Sequence, residues 1–190
     1  MAAQPTLMTL HIQLEPLHLP YPVWRRLQVS ADCTLRKLHH FIQAAFGWHS
    51  CHLHEFNTGL HRYAEPDEYG DLDTRDDRKI KLRRVLNPDV RLRYVYDFGD
   101  AWQHVIALED TVPWQSSGTW CEVLDGAGAC PPEDVGGVPG YLHFLEALQH
   151  PDSDEGRDAL EWIGGQFDPQ RFDVHGANAA VQRICNNLWG

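Results

Sequence analysis

The sequence predicts an α+β fold: a single domain with a mixed or antiparallel sheet covered by helices and a helical C-terminal third. Strand-like segments fill roughly the first 110 residues, and amphipathic helical patterns dominate roughly the last 50. Neither an internal repeat nor a low-complexity linker divides the 190 residues, a length typical of one domain. We therefore expect a single domain over residues 7–188.

The N-terminal part predicts a β-hairpin followed by a helix. Residues 7–17 and 23–29 are the predicted strands, and the prolines in their connection exclude a central strand there. Apolar residues then recur at helical spacing over residues 34–46, and Gly47 ends the pattern. We expect a helix over that range.

The middle of the chain predicts short strands around a tight turn. The strongest strand predictions are residues 90–97 and 101–108, because both are rich in β-branched and aromatic residues and flank the turn pair Gly99-Asp100. A strand, a polar loop and a helical turn precede them at residues 51–58, 59–79 and 82–86.

The last part predicts a loop and three helices. Residues 112–132 are expected to be loop. Pro139 suits the first turn of a helix, where its missing amide hydrogen has no partner in any case. The three helices are expected at residues 140–149, 153–163 and 174–188.

The charge is unevenly distributed. The formal net charge is −11, with 13 basic against 11 acidic side chains in residues 1–93 and 3 against 16 in residues 94–190. This balance argues against a general nucleic-acid binder, because a phosphate-binding surface needs clustered Lys and Arg. Eight basic residues nevertheless lie in residues 75–93. That segment is either a contact surface for a protein or nucleic-acid partner or a solvated face of ion pairs.

Cysteine usage and hydropathy predict a cytoplasmic protein that does not enter membranes. The five cysteines are an odd number without a Cys-x-x-Cys pair, which favours reduced thiols. No apolar run approaches the roughly 20 residues that span a bilayer, and the first residues lack the pattern of a secretory signal.

Asp97 and His104 form the first candidate pair. With Gly99-Asp100 as a two-residue turn, Asp97 would pair with Trp102 and lie diagonal to His104 on one face of the hairpin. The carboxylate could then orient the imidazole or share a metal ion with it. In the structural alternative, Asp97 and Asp100 accept hydrogen bonds from turn amides and His104 packs against Trp102.

His52 and His54 form the second candidate pair. Alternate residues of a strand share a face, so both imidazoles could bind one metal ion. Alternatively, both are ordinary surface or sheet-packing histidines. The candidates for a third or fourth ligand are His104, Asp97, Glu133 and Cys121.

The third candidate segment is Cys-Pro-Pro-Glu-Asp-Val-Gly-Gly at residues 130–137. Gly136 and Gly137 allow backbone amides to converge on an anion at the start of a helix. Because Glu133 and Asp134 repel a bare anion, a metal-bridged ligand is the more coherent interpretation. The alternative is a rigid loop whose acids cap amides and favour the positive end of the helix.

These segments together resemble the Ri-plasmid ORF-3-like family, whose members are also found as passengers of insertion elements and are sometimes labelled resolvase-like. The resemblance runs from Leu10 to Val181 and implies an α+β domain without specifying an activity. The resolvase label lacks support, because a serine recombinase needs a nucleophilic serine among arginines and a basic DNA-binding segment. The matching landmarks are Trp24-Arg25-Arg26, Leu35 to His39 with Ile42, Gly47-Trp48, His52-Leu53 with Phe56, Tyr94 to Asp100 with Trp102 and His104, Cys130 to Gly137, and Gly140-Tyr141.

Two functional hypotheses follow. The first is a binding or accessory module of plasmids and mobile elements that recognises a protein or nucleic-acid partner. The second is a hydrolase in which His52, Asp97 and His104 hold a divalent metal ion while Glu133 or Asp134 activates water. Further residues expected around the site are His54, Asp100, Trp102, Cys121 and Cys130.

Overall fold

One eight-stranded sheet and four α-helices make up the fold, which confirms the predicted α+β class. The structure is a computed structural model that describes residues 4–16, 19–66, 73–116 and 118–187. Leu17, the predicted end of the first strand, lies outside the described residues. Leu188 does so too, and the domain bounds 7–188 therefore stay a prediction.

The helices and strands follow one another in an order that places most strands before most helices. The helices are α1 (Leu35–Phe46), α2 (Gly137–Leu148), α3 (Asp154–Trp162) and α4 (Val174–Asn187), with a 3₁₀ turn at Leu82–Arg84. The strands are β1 (Thr6–Leu14), β2 (Trp24–Ser30), β3 (His54–Asn57), β4 (Arg62–Ala64), β5 (Thr74–Asp76), β6 (Leu92–Tyr96), β7 (Trp102–Pro113) and β8 (Cys121–Ala127).

The sheet is mixed, with the order β5-β4-β3-β6-β7-β1-β2-β8. Strands β4 and β5 run parallel, and the other neighbours are antiparallel. Fully buried Leu10 and Ile12 of β1 pair with Leu27 and Ile106 of the neighbouring strands. They join Phe41 of α1 in one hydrophobic cluster. Burial of each such side chain contributes about 1.5–3 kcal/mol.

Helix α1 confirms the predicted helix and its end signals. The Thr34 hydroxyl accepts a hydrogen bond from the Lys37 amide at 3.2 Å, which satisfies a donor that the first turn leaves free. At the other end Gly47 has a φ of 94° and donates its amide hydrogen to the Gln43 carbonyl. A left-handed residue at this position favours glycine.

Two of the predicted loops contain strands. Strand β8 lies within residues 112–132 and pairs with β2, and its alternating Cys121 and Val123 are buried. Strands β4 and β5 lie within residues 59–79. These loop predictions were wrong for two reasons. Strand β8 is a strand because it pairs with β2, which is distant in the chain. Strands β4 and β5 have only three residues each, too few for a recognisable strand pattern.

The β6–β7 hairpin has a different register from the predicted one. His104 pairs with Tyr94, and the connection runs from Asp97 to Ala101 instead of spanning two residues. Asp97 and Ala101 have φ values of 56° and 55°, a region that non-glycine residues rarely occupy. A shift of the strand register by one residue moves each side chain to the opposite face of the sheet. Asp97 and His104 therefore do not lie on the same face.

Apart from the gaps named above, residues 4–187 contain no helix that combines the length and the apolarity needed to cross a membrane. The cytoplasmic location stays a prediction.

Candidate metal centre

The Nε2 atom of His52 lies among three carboxylates. It is 3.1 Å from Asp134 Oδ1, 3.6 Å from Asp97 Oδ2 and 4.0 Å from Glu133 Oε2. His52, Asp97 and Asp134 each offer one ligand atom, and these atoms all lie within 4.8 Å of one another. The structure therefore brings together one residue from each of the three segments that the sequence singled out.

Two of the carboxylates are oriented by hydrogen bonds to their outer oxygens. Asp97 Oδ1 accepts from the Gly99 amide at 2.8 Å, which leaves Oδ2 facing His52. Glu133 Oε1 accepts from the His49 amide at 2.8 Å and from the Tyr96 hydroxyl at 3.0 Å. Such second contacts are what fix the ligands of metal sites in proteins.

The inner atoms of this cluster lack hydrogen-bond partners. Among the described residues, neither His52 Nε2 nor Glu133 Oε2 has one, although both atoms are buried. Buried polar atoms are normally paired, because an unpaired one costs about 1–3 kcal/mol. These two atoms lie 4.0 Å apart, and the Asp134 carboxylate lies 3.1 Å from the same His52 nitrogen.

The backbone is strained where the cluster is built. Ser50, Asp97 and Asp134 have φ values of 55°, 56° and 57°. A non-glycine residue in the left-handed region costs roughly 1–3 kcal/mol and is common at functional sites. Two of these three residues, Asp97 and Asp134, contribute carboxylates to the cluster.

The hairpin connection holds the loop that carries Glu133 and Asp134. Asp100 Oδ2 accepts a hydrogen bond from the Gly136 amide at 3.1 Å. The Asp100 carboxylate thus lies where the sequence predicted an anion beside the two glycines at the start of α2. This hydrogen bond links the β6–β7 connection, which carries Asp97, to the loop that carries Glu133 and Asp134.

Cys51 adds a thiol at the edge of the cluster. Its sulfur lies 3.6 Å from the Tyr96 hydroxyl, and with His52 and Glu133 it forms a second group of ligand atoms within 4.8 Å of one another. His52 belongs to both groups. The sequence did not identify Cys51 or Tyr96 individually, although each directly precedes a predicted ligand.

His104 and Trp102 lie in the core instead of at the cluster. His104 is 1% exposed, and its ring packs edge-on against Phe46 and Trp48. Burial lowers the pKa of His104 to about 3, so the imidazole is neutral at physiological pH. Trp102 is fully buried and packs near Trp48 and Tyr141. The structure does not bring His104 to Asp97, and the alternative of a packed histidine describes its position.

His54 belongs to a separate buried network. Its Nε2 atom contacts Asp77 Oδ2 at 2.8 Å, and its ring stacks on His39 with centroids 3.6 Å apart. Arg36 donates to both oxygens of Asp77. Burial acts to raise the pKa of Asp77, but hydrogen bonds from His54 and Arg36 outweigh it and lower that pKa. The two histidines of His52-Leu53-His54 therefore do not face one ion.

The two cysteines predicted for the site lie outside the cluster. Burial raises the pKa of Cys121 and that of Cys130 well above the ordinary thiol value, so both are neutral thiols. Cys121 begins β8, whereas Cys130 precedes Pro131 in the loop.

Four of the basic residues in segment 75–93 form ion pairs with nearby aspartates. Lys81 and Arg83 pair with Asp32 at 2.8 and 2.9 Å, and Arg78 and Lys79 pair with Asp76. These contacts fit the alternative of a salt-bridged face for half of the eight basic residues.

Three comparisons place the chain among known proteins. A family model described as "Plasmid pRiA4b ORF-3-like protein" matches residues 6–176. "Uncharacterized protein y4hQ" of Sinorhizobium fredii (strain NBRC 101917 / NGR234) is 37% identical over 172 residues, which is 88% of each chain. The crystal structure of the protein of unknown function MM3350 from Methanosarcina mazei Go1 superposes with a TM-score of 0.81 at 30% identity. It covers 91% of this chain and 98% of that one. The chain therefore belongs to the plasmid pRiA4b ORF-3-like protein family.

Proposed function

We propose that the protein is a divalent-metal-dependent hydrolase in which His52, Asp97 and Asp134 bind the ion and Glu133 activates the attacking water. The observation that carries this proposal is the position of His52 Nε2, a buried atom without a hydrogen bond and within 4.0 Å of three carboxylates. Asp134 takes the place that the sequence predicted for His104.

The charge of the cluster favours a cation. Three carboxylates surround one imidazole, so the acidic groups of the cluster outnumber the basic one. Carboxylates this close to one another repel, and a cation bound between them offsets that repulsion. One nitrogen and several carboxylate oxygens form a ligand set suited to zinc, manganese or iron(II).

Glu133 has the geometry of a general base. Its Oε1 atom is held by two donors while Oε2 points into the cluster, and its side chain is 15% exposed. In the proposed reaction Glu133 takes a proton from the attacking water and passes it to the leaving group. Asp134, with a side chain 71% exposed, lies on the open side from which a substrate enters.

Metal binding is tested first by thermal unfolding of chelator-treated protein. A hundredfold excess of Mn²⁺ or Zn²⁺ over its dissociation constant should raise the melting temperature by about 5–10 °C. His52→Ala should abolish the rise. His61→Ala, at an exposed histidine outside the cluster, should retain it. If none of these ions stabilises the wild-type protein, the proposed function is wrong.

The role of Glu133 is tested by separating binding from turnover. Glu133→Gln should keep most of the metal-dependent rise in melting temperature but lower metal-stimulated hydrolysis by on the order of 10²–10⁴. The probe substrates are p-nitrophenyl acetate and bis(p-nitrophenyl) phosphate. Glu146→Gln, an exposed glutamate on α2, is the matched control. Equal rates in wild type and Glu133→Gln would contradict the assignment of the base.

A further inference from the structure

A cavity opens beside the candidate metal centre, between the loop at Asp134 and Val135 and helices α2 and α3. Its volume is about 390 Å³, within the range of small-molecule pockets. Asp134 lines this cavity and also places Oδ1 3.1 Å from His52 Nε2. A molecule in the cavity is therefore adjacent to the proposed metal ion.

The inner surface of the cavity is apolar and partly aromatic. Val135, Phe144 and Ala159 line it, together with Trp162, which is 51% exposed. The rings of Phe144 and Trp162 meet edge to face with centroids 5.5 Å apart. This surface suits a flat or extended hydrocarbon body, and the exposed indole offers a face for a cation.

The rim of the cavity is negative. Glu155 and Asp158 of α3 line it and are exposed. Neither forms an ion pair within the part of the chain that the structure describes. Arg157, the nearest basic residue in the sequence, pairs with Asp154 instead. Because Asp134 is assigned to the metal ion, Glu155 and Asp158 are the carboxylates that make the rim unfavourable for an anionic ligand. His143 is the other titratable side chain of the lining.

We propose that this cavity is the substrate-recognition pocket and that it takes a small organic cation with an aromatic or alkyl body, such as an arylalkylamine. The inference rests on the proposed hydrolase function, because it names the part of the substrate that would bind next to the metal ion. The apolar surface binds the hydrocarbon, the acids bind the ammonium, and Asp134 connects the pocket to the reacting centre.

The test uses ligand-observed NMR on the full-length protein with three probes of one shape. Phenethylammonium should bind, while neutral 2-phenylethanol should bind more weakly and anionic phenylacetate most weakly. The double variant Glu155→Gln with Asp158→Asn should lower the phenethylammonium affinity about three- to tenfold. Trp162→Ala should lower it about three- to fivefold. Glu161→Gln, on α3 but outside the cavity, should have no effect.

Equal binding of the three probes, or an affinity that the double variant leaves unchanged, would overturn the proposal. A second readout separates it from the proposed function. Mn²⁺ should broaden the phenethylammonium signals because the two sites adjoin, and His52→Ala should remove the broadening. If Mn²⁺ does not stabilise the protein while phenethylammonium binds in chelator, the hydrolase proposal alone fails. If Mn²⁺ binds but broadens no amine signal, the pocket does not serve the metal centre.

Discussion

Tyr96 is the residue through which the packed sheet orients the candidate centre. Its ring is fully buried on β6, and its hydroxyl donates to Glu133 Oε1 at 3.0 Å and accepts from the Cys51 amide at 3.2 Å. The ring also meets that of His52 edge-on, with centroids 5.8 Å apart. Burial raises the pKa of Tyr96, so the hydroxyl keeps its proton and remains a donor.

Tyr96→Phe should lower metal-stimulated hydrolysis without unfolding the protein or abolishing metal binding. The phenyl ring preserves the packing but removes one of the two donors that hold the proposed general base Glu133, and loss of such an orienting contact typically costs about tenfold or more in activity. The rate of bis(p-nitrophenyl) phosphate hydrolysis in saturating Mn²⁺ measures the change. Tyr141→Phe is the matched control, since its buried hydroxyl has no partner among the described residues. If both variants lose the same activity, Tyr96 has no special role.

The contact between the β6–β7 connection and the start of α2 is the element-scale feature on which the centre depends. Gly137 has a φ of 65°, and a Cβ atom there would lie 2.7 Å from the Asp100 carbonyl oxygen. This is closer than real Cβ contacts, so only glycine allows the two elements to approach. The approach places Asp97 and Asp134 around His52.

Gly137→Ala should therefore separate the loop from the hairpin and weaken metal binding at least tenfold, as for other losses of ligand orientation. The strained φ should also lower the free energy of unfolding by about 1–2 kcal/mol. Chemical denaturation and Mn²⁺ titration measure the two effects.

Gly164→Ala is the control that separates strain from contact. Gly164 also has a positive φ, 79°, but a Cβ atom there would have no neighbour within 4 Å. It should lose stability without losing metal affinity. Normal metal binding by Gly137→Ala would show that the close approach is not needed.

At the scale of the whole molecule, buried neutral histidines should make stability depend on pH. Burial lowers the pKa of His104 to about 3 and also lowers the pKa of His39. In the unfolded chain a histidine titrates near 6.5. Between these two values the unfolded state binds more protons than the folded state. The contribution of these histidines to the free energy of unfolding is therefore fully present above pH 6.5 and is lost as the pH falls toward 3.

Urea denaturation in chelator at pH 7 and pH 5 measures this loss. His104→Leu should lose less stability over this interval than the wild type, by about 2 kcal/mol, because one proton-binding difference is removed. The comparison of the two pH values cancels any constant packing change in the variant. A loss equal to that of the wild type would show that His104 is not the group responsible.

The predicted partner contact of residues 75–93 is also a whole-molecule property. Arg84, Arg91 and Arg93 are exposed, and none forms an ion pair within the described residues. If the segment contacts nucleic acid, their reversal to Glu should lower the affinity for duplex DNA and reduce its salt dependence, about one unit per lost phosphate contact. Reversal of the paired Lys79 should have less effect. Fluorescence anisotropy against salt concentration measures both, and the absence of binding by the wild type would remove nucleic acid as a partner.

Local patterns were sufficient to predict several elements. The capping hydroxyl of Thr34, the apolar spacing of α1 and the left-handed Gly47 act over a few residues, and a sequence carries that information directly. The same is true of Ser153, which caps α3 by accepting from the Gly156 amide. Strand β8 was missed because the pairing with β2 makes it a strand.

The sequence was sufficient to predict which segments contribute to the candidate centre, but not which of their residues meet there. The three segments that contribute His52, Asp97, Glu133 and Asp134 were identifiable as unusual mixtures of acids, histidines and glycines. His104 was assigned to the site because a two-residue turn was the simplest connection for β6 and β7.

By itself the sequence determined the α+β class, the family and the segments from which a site is drawn. The tertiary structure decided which side chains meet. Two left-handed residues shift the β6–β7 register by one, and in a strand that shift exchanges the two faces. His104 is thereby buried in the core, and Asp97 turns toward a histidine and an aspartate from distant parts of the chain. Such convergence depends on long-range packing, which no local pattern encodes.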